Sequence, residues 1–244
     1  MSLLAMFVLI ALALLVWWLL TQKLRAKPWL APSAENHGSL DESFGATFDA
    51  TQHSAKLIGL GLFIAVVTAL FGLFAAAYHM RMAVPDWTHL PLPKILWTNT
   101  LLLAAGSAAL QWAWSASARG GPLRAIRQGL TAGVALTLLF LISQCLAWRQ
   151  LNANGFYFSC TPASAFFYLL SGLHGLHVCG GLLVLSKTTL AVYRMDNFPG
   201  TGDAENIALA TQHETPLLSI KLCALYWHYL LLLWLALYAL LAFT

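Results

Sequence analysis

Long apolar runs separated by short polar stretches dominate the pattern of residues along this chain. About 20 apolar residues are enough for a helix to cross the hydrocarbon core of a bilayer. Six runs are close to this length or exceed it, and they cover residues 3–20, 57–78, 96–116, 127–148, 163–192 and 217–243. We therefore predict an all-α integral membrane protein with six transmembrane helices.

The first run, residues 3–20, could be a signal peptide or a retained helix. A signal peptide has a basic start and a small-residue cleavage site. Here the basic residues follow the run, beginning at Lys23, and Trp17 and Trp18 lie near its end. We interpret residues 1–22 as an N-terminal transmembrane helix.

The segment at residues 23–56 is the main break in the apolar pattern. It contains Pro28 and Pro32 and several acidic residues, a composition that favours irregular structure. We predict a polar cytoplasmic connection there, followed by a five-helix bundle over residues 57–244.

Composition and charge support the membrane class. Of 244 residues, 59% are hydrophobic and only 9% are charged, against about 25% charged in soluble domains. The formal net charge of +4 does not indicate nucleic-acid binding, because the basic residues lie at span ends and form no cluster with aromatics. Of four cysteines only Cys160 lies in a loop, so no intrachain disulfide is indicated.

The distribution of basic residues predicts the orientation, because Lys and Arg concentrate on the cytoplasmic side. With alternating spans, one side carries Lys23, Arg25, Lys27, Lys56, Arg119, Arg124, Arg127, Lys187, Arg194 and Lys221, and the other carries Arg81, Lys94 and Arg149. We therefore place both termini on the outer, periplasmic side.

The polar residues inside the predicted spans are the candidates for function. None of the nine acidic residues lies within a span, although transporters and proton pumps usually keep an ionisable carboxylate in the membrane. The remaining intramembrane polar groups are Gln111, Gln144, His174, His177, His228 and small hydroxyls.

The histidines allow two interpretations. His177 and His228 could be axial haem ligands, since two neutral imidazoles suffice; a copper or zinc site would need further ligands. Alternatively, His174, His177 and His228, with Gln144 and Tyr226, form hydrogen bonds between helices, which buried polar groups in lipid require. We favour packing, with the His174 and His177 face against Tyr226 and His228, because the neighbouring small residues Gly172, Gly175, Gly180 and Gly181 favour close helix contact.

Four motifs carry a resemblance to a known family. They read LFGLFAAAYHMRM at 70–82, LWTNTLLLAAGSAALQWA at 96–113, FFYLLSGLHGLHVCGGL at 166–182 and YWHYLLLLWLALY at 226–238. In this order they resemble subunit III of the haem-copper oxidases, the cytochrome c oxidase subunit III family.

The resemblance implies a non-catalytic subunit with no redox centre of its own, in a complex that reduces oxygen and pumps protons. Such a subunit stabilises the catalytic subunit I by direct contact, assembles with subunit II and small subunits, and retains phospholipid. Haems and copper are then expected in the partner subunits. The expected location of the complex is a bacterial inner membrane or, alternatively, the mitochondrial inner membrane. A quinol oxidase or nitric oxide reductase subunit, and more distantly a His-ligated membrane cytochrome, remain alternatives.

The resemblance also points to lipid contacts and to departures from the family. A basic residue at a position like Arg194 binds a phospholipid headgroup in the family, and His53 and Lys56 lie on the same predicted side. Most members have two helices before the common five, whereas this chain shows one. Val67, Lys221 and Leu231 occupy positions where the family commonly has carboxylates, so a proton-linked role through those acids is in doubt.

Overall fold

The computed structural model describes residues 40–87, 90–194 and 216–243, with side chains from residue 55 in the first range and from residue 217 in the last. These residues form five helices, which we number α1 (Leu40–Met82), α2 (Ile95–Ala118), α3 (Leu123–Ala153), α4 (Pro162–Arg194) and α5 (Pro216–Ala242). The predicted all-α class is confirmed. The run at residues 3–20 lies outside the described residues.

Four of the five helices contain a stretch long and apolar enough to cross a membrane: Ala55–Met82, Leu123–Ala153, Pro162–Arg194 and Leu217–Ala242. The protein is a multi-pass membrane protein. The predicted span at 96–116 forms helix α2, which falls outside this set because it carries more polar residues, including Asn99 and Ser107. Both of these side chains are buried, so the polarity of α2 is directed at its neighbours.

Helix α1 begins earlier than the sequence pattern predicts. Residues 40–56, which we expected to be irregular, are helical. Both prolines of the predicted connection precede Leu40, so neither interrupts this helix. The chain divides into two compact units between Thr68 and Ala69, within α1 and further along than the boundary predicted after residue 56.

Helices α2 to α5 form an antiparallel four-helix arrangement in the second unit. Contacts join α2 to α3, α3 to α4, α4 to α5, and α5 back to α2. From Ala69 onward α1 packs on α4, where the Phe71 ring lies 5.7 Å from His177 and Tyr78 lies 5.4 Å from Phe166. This arrangement brings residues from all four helices into one core.

Glycines allow close approach of helices at two of these contacts. A Cβ added at Gly129 of α3 would lie 2.7 Å from Ala113 Cβ and 2.9 Å from the Ala109 carbonyl oxygen of α2. A Cβ added at Gly181 of α4 would lie 2.6 Å from Tyr226 Cε1 of α5. Small residues in membrane helices commonly permit such contacts.

The other glycines of the predicted close-contact face of α4 are in a different setting. A Cβ at Gly175 or Gly180 would have no described neighbour within 4 Å, and one at Gly172 would make an ordinary 3.8 Å contact with Trp148. Only Gly181 of the four therefore needs to be glycine for packing among the described residues.

Candidate functional site

Helix α5 donates hydrogen bonds to two neighbouring helices from adjacent residues. The Tyr226 hydroxyl donates to the His177 carbonyl oxygen of α4 over 3.1 Å, and Trp227 Nε1 donates to Thr137 Oγ1 of α3, also over 3.1 Å. Trp227 is 1% exposed, so its bond lies in the core. These two side chains tie α4 and α3 to the same turn of α5.

The same helix reaches α2 through His228 and Trp234. His228 Nε2 lies 2.9 Å from Gln111 Oε1, and its Nδ1 is hydrogen-bonded to the Ser107 hydroxyl. Trp234 Nε1 donates to Thr100 Oγ1 over 3.0 Å. Helix α5 is thus bonded to three helices.

The face predicted for His228 is corrected by this geometry. We expected Tyr226 and His228 to meet α4 together, but two residues advance a helix by about 200°. Tyr226 therefore faces α4 while His228 faces α2.

Three tryptophans share one pattern of hydrogen bonding. Thr137 Oγ1 donates to the Gly133 carbonyl oxygen one turn earlier and accepts from Trp227. Thr100 does the same with Leu96 and Trp234, and Ser171 with Phe167 and Trp148. In each case the hydroxyl proton is used within its own helix, so its oxygen is left as an acceptor for the indole.

His177 is only partly exposed and bonds within α4. Its Nδ1 lies 2.8 Å from the Leu173 carbonyl oxygen. A carbonyl can only accept, so Nδ1 carries the proton. Its spacing from His174 predicts a shared face, yet the two rings have different neighbours.

His174 is fully buried in an aromatic environment. Its ring centroid lies 5.2 Å from that of Trp234 on α5 and 6.0 Å from that of Phe140 on α3. The side chain has 0% exposure, and neither ring nitrogen has a hydrogen-bond partner among the described residues.

Asn99 and Gln144 join α2 to α3 in the core. Asn99 Nδ2 donates to Gln144 Oε1 over 2.6 Å, and both residues are at most 2% exposed. One atom on each amide, Asn99 Oδ1 and Gln144 Nε2, has no partner among the described residues.

The histidines do not converge on one point, as a shared ligand would require. His228 engages α2 through both ring nitrogens, whereas His177 bonds within α4 and lies beside Phe71 of α1. Within the described ranges, no three His, Cys, Asp or Glu side chains come together to bind a metal. The arrangement supplies neutral hydrogen bonds between helices.

Comparison with known families gives these elements their context. The family described as Cytochrome c oxidase subunit III matches residues 41–243 of this chain. The chain belongs to the cytochrome c oxidase subunit III family. The match begins at the start of α1 and includes all five described helices, which confirms the resemblance carried by the four motifs.

Subunit III proteins of distant organisms align with most of the chain. A "Probable cytochrome c oxidase subunit 3" of Mycobacterium tuberculosis is 27% identical over 179 residues, which cover 70% of this chain and 79% of the relative. The "Cytochrome c oxidase subunit 3" of Synechocystis is 26% identical over 196 residues, covering 76% and 74%. That of Arabidopsis thaliana is 28% identical over 203 residues, covering 76% and 69%.

The three positions at which the resemblance led us to expect carboxylates have different environments. Val67 is 2% exposed, Lys221 is exposed at the start of α5, and Leu231 is half-buried. None of the three side chains found here is a carboxylate.

The predicted lipid-binding residues are described in part. Arg194 is exposed as the last residue of α4, next to Tyr193, whose ring lies 5.0 Å from the Arg127 guanidinium carbon. Lys56 is half-exposed in α1, and the side chain of His53 lies outside the described side chains.

The sequence interpretation missed the hydrogen-bonding residues Thr100, Thr137, Trp227 and Trp234. A signal for them was available, because a tryptophan in the middle of a membrane span must find an acceptor for its N–H. Mid-span threonines are natural acceptors, although only the fold shows which tryptophan meets which threonine.

Proposed function

We propose that this chain is the non-catalytic subunit III of a respiratory haem-copper terminal oxidase, a cytochrome c oxidase. In this role it stabilises the catalytic subunit I and retains phospholipid while the complex reduces oxygen and pumps protons. Haems and copper belong to the partner subunits, and subunit II and small subunits complete the assembly.

The observation that carries this proposal is the use of the polar side chains of α5 for helix packing. Four side chains of α5 form hydrogen bonds with α2, α3 and α4: Tyr226, Trp227, His228 and Trp234. A His-ligated cytochrome would need imidazole nitrogens directed at a common iron. Because both nitrogens of His228 bond to α2, the geometry favours a structural subunit over that alternative.

The outer surface of the bundle supports a role in binding membrane partners. Leu176, Leu183 and Leu190 of α4 are 67%, 68% and 58% exposed. The open Gly175 and Gly180 lie on the same helix. An apolar helix surface with small residues suits contact with subunit I or with lipid chains.

We further propose six transmembrane helices with both termini on the outer side of a bacterial inner membrane. The antiparallel order of α2 to α5 agrees with this topology. It brings Arg119, Arg124, Arg194 and Lys221 to one end of the bundle and Lys94 and Arg149 to the other. Basic residues concentrate on the cytoplasmic side, so the first end is the inner one.

Purification through a tag on this chain tests the proposed function. We expect a catalytic subunit with its haems in equimolar amount, and complex prepared without this chain should keep its haem content per catalytic subunit but dissociate at lower temperature. A stoichiometric haem spectrum from the isolated chain would overturn the proposal. Electron transfer only from quinol, or nitric oxide reduction by the complex, would assign the chain to one of the related enzymes.

The lipid role is tested at Arg194, with His53 and Lys56 as further proposed headgroup contacts. A cation near the membrane surface contributes about 1 kcal/mol toward binding of an anionic lipid. We expect Arg194→Ala to lower the amount of tightly bound phospholipid detected by mass spectrometry of the complex. Arg149→Ala, at an exposed position on the opposite end of the bundle, is the matched control. Equal lipid retention in the two variants would eliminate a specific site at Arg194.

A further inference from the structure

We propose that the core of the bundle contains an internal water site that bridges His174 to the Asn99–Gln144 pair. The observation behind it is a group of buried side chains with unused polar atoms. These are both ring nitrogens of His174, Asn99 Oδ1 and Gln144 Nε2, none of which has a partner among the described residues. All three side chains are at most 2% exposed.

The helix register brings the three residues to one level of the bundle. Phe140 of α3 lies opposite His174 of α4, and Trp148, two turns further along α3, bonds to Ser171, about one turn before His174. Gln144 is midway between Phe140 and Trp148 on the same face of α3. It therefore faces the stretch of α4 from Ser171 to His174.

Helices α2 and α5 close the site from the other sides. Asn99 of α2 bonds to Gln144, and its neighbour Thr100 accepts from Trp234. The Trp234 ring lies 5.2 Å from His174 and 5.3 Å from Phe140. The His174 ring is thus packed between two aromatic rings, and its nitrogens, Asn99 Oδ1 and Gln144 Nε2 have no hydrogen-bond partner among the described residues.

The unused atoms complement the donors and acceptors of water. The amide pair leaves one unbonded NH2 nitrogen, which carries two N–H donors, and one unbonded carbonyl oxygen, and exchanging O and N on both amides gives the same balance. A neutral imidazole offers one donor and one acceptor. A water molecule that accepts from Gln144 Nε2 and donates to Asn99 Oδ1 and to one ring nitrogen of His174 makes three hydrogen bonds, about the number that is typical of a buried water.

The balance of charge also favours water over an ion. The amides are neutral, and the ring packs against the apolar faces and edges of Phe140 and Trp234. A charged ligand in such surroundings would carry a large desolvation cost without a counter-charge. Water needs only the hydrogen bonds that these three side chains supply.

Water-edited solid-state NMR on the intact complex with 15N-labelled histidine tests the proposal. The His174 ring signals, assigned by their loss in His174→Phe, should receive magnetisation from water as quickly as exposed sites do. Gln144→Leu should remove most of that transfer, whereas Gln128→Leu, at an exposed position on the same helix, should leave it unchanged. Absence of transfer in the unmodified complex, or equal transfer in Gln144→Leu, would overturn the water site.

The thermal midpoint of the complex gives a second readout that does not depend on assembly of the Gln144 variant. If His174 is dry and unpaired, His174→Phe removes an unsatisfied polar group and should raise the midpoint. If water bridges His174 to the amides, the same change removes a hydrogen-bond partner of that water and leaves the amides of Asn99 and Gln144 less well satisfied. The thermal midpoint should then fall. A raised midpoint would therefore refute the proposal.

Discussion

The contact between α4 and α5 at Gly181 yields a sharp prediction, because two neighbouring glycines differ in what they meet. In Gly181→Ala the new methyl group would lie 2.6 Å from Tyr226 Cε1 and 3.0 and 3.1 Å from two carbons of the Trp227 ring. The optimal separation of carbon atoms is about 3.5–4.0 Å. One helix must therefore move by about 1 Å, or both rings must turn.

Neither ring can turn freely. Trp227 is held in the core by its bond to Thr137, and the Tyr226 hydroxyl is bonded to the His177 carbonyl oxygen. Overpacking of this kind costs about 1–3 kcal/mol, and a lost interhelical hydrogen bond in a membrane protein about 0.6 kcal/mol. The gain in helix propensity from Gly to Ala offsets about 1 kcal/mol. The expected net destabilisation is about 0.6–2.6 kcal/mol.

Gly180→Ala is the matched control, since its new methyl group meets nothing described within 4 Å. It should be neutral or slightly stabilising through helix propensity. The assay is the fraction of this chain retained in the complex across a denaturant series, with haem content as a measure of intact partner subunits. Since each 1.4 kcal/mol is tenfold in an equilibrium constant, the upper end of the estimate corresponds to nearly a hundredfold loss in the retained-to-released ratio.

The result that would refute the reasoning is equal retention of the two alanine variants. It would mean that α4 and α5 separate at no cost, or that the Tyr226 and Trp227 rings have room to turn. A larger loss in Gly180→Ala than in Gly181→Ala would place a partner against the face of α4 that carries Gly180.

Two further predictions concern single polar contacts. Trp227→Phe keeps the ring in the core but removes the bond to Thr137, so we expect a loss of about 0.6 kcal/mol in the denaturant assay; an unchanged midpoint would show that the bond contributes nothing. Arg81 donates two hydrogen bonds to Asp86, from Nη1 to Oδ1 over 2.6 Å and from Nη2 to Oδ2 over 2.5 Å. These bonds lower the pKa of Asp86. The stability from this exposed pair should thus be present above the ordinary aspartate pKa and be lost as pH falls through the lowered value, a dependence on pH that Asp86→Asn should remove from the thermal midpoint.

The apolar spans of the bundle could be predicted from the sequence because the length of an apolar run indicates whether a helix can cross the bilayer. The ends could not, as α1 shows by beginning at Leu40, well before its apolar run. Charged and polar residues such as Asp41 and Glu42 are compatible with helix as well as with loop, so the end of an apolar run does not fix the end of the helix. Length also misleads for α2. It was predicted as a span because it is long enough, but its mean hydropathy is lower than that of the other four helices.

The roles of individual polar residues depended on information that spacing does not contain. His174 and His177 share a face by their spacing, yet one is enclosed by aromatic rings and the other bonds to a carbonyl of its own helix. Asn99 and Gln144 were both visible as intramembrane amides, but their pairing across 45 positions follows from the register of α2 against α3. A polar residue in a predicted span indicates that a hydrogen-bond partner is required, and only the packing of the helices identifies that partner.

The Trp–hydroxyl pattern has a consequence for the order in which the helices enter the membrane during synthesis. Thr100 and Thr137 give their protons to their own helices, so before α5 is made they expose only a spare oxygen lone pair to lipid. Asn99 and Gln144 can pair as soon as α2 and α3 form a hairpin. Each of these early helices can therefore be inserted into the membrane before α5 with little free-energy cost from unbonded polar groups. When α5 follows, the Trp227 and Trp234 indoles can donate to these oxygens and join α5 to α3 and α2.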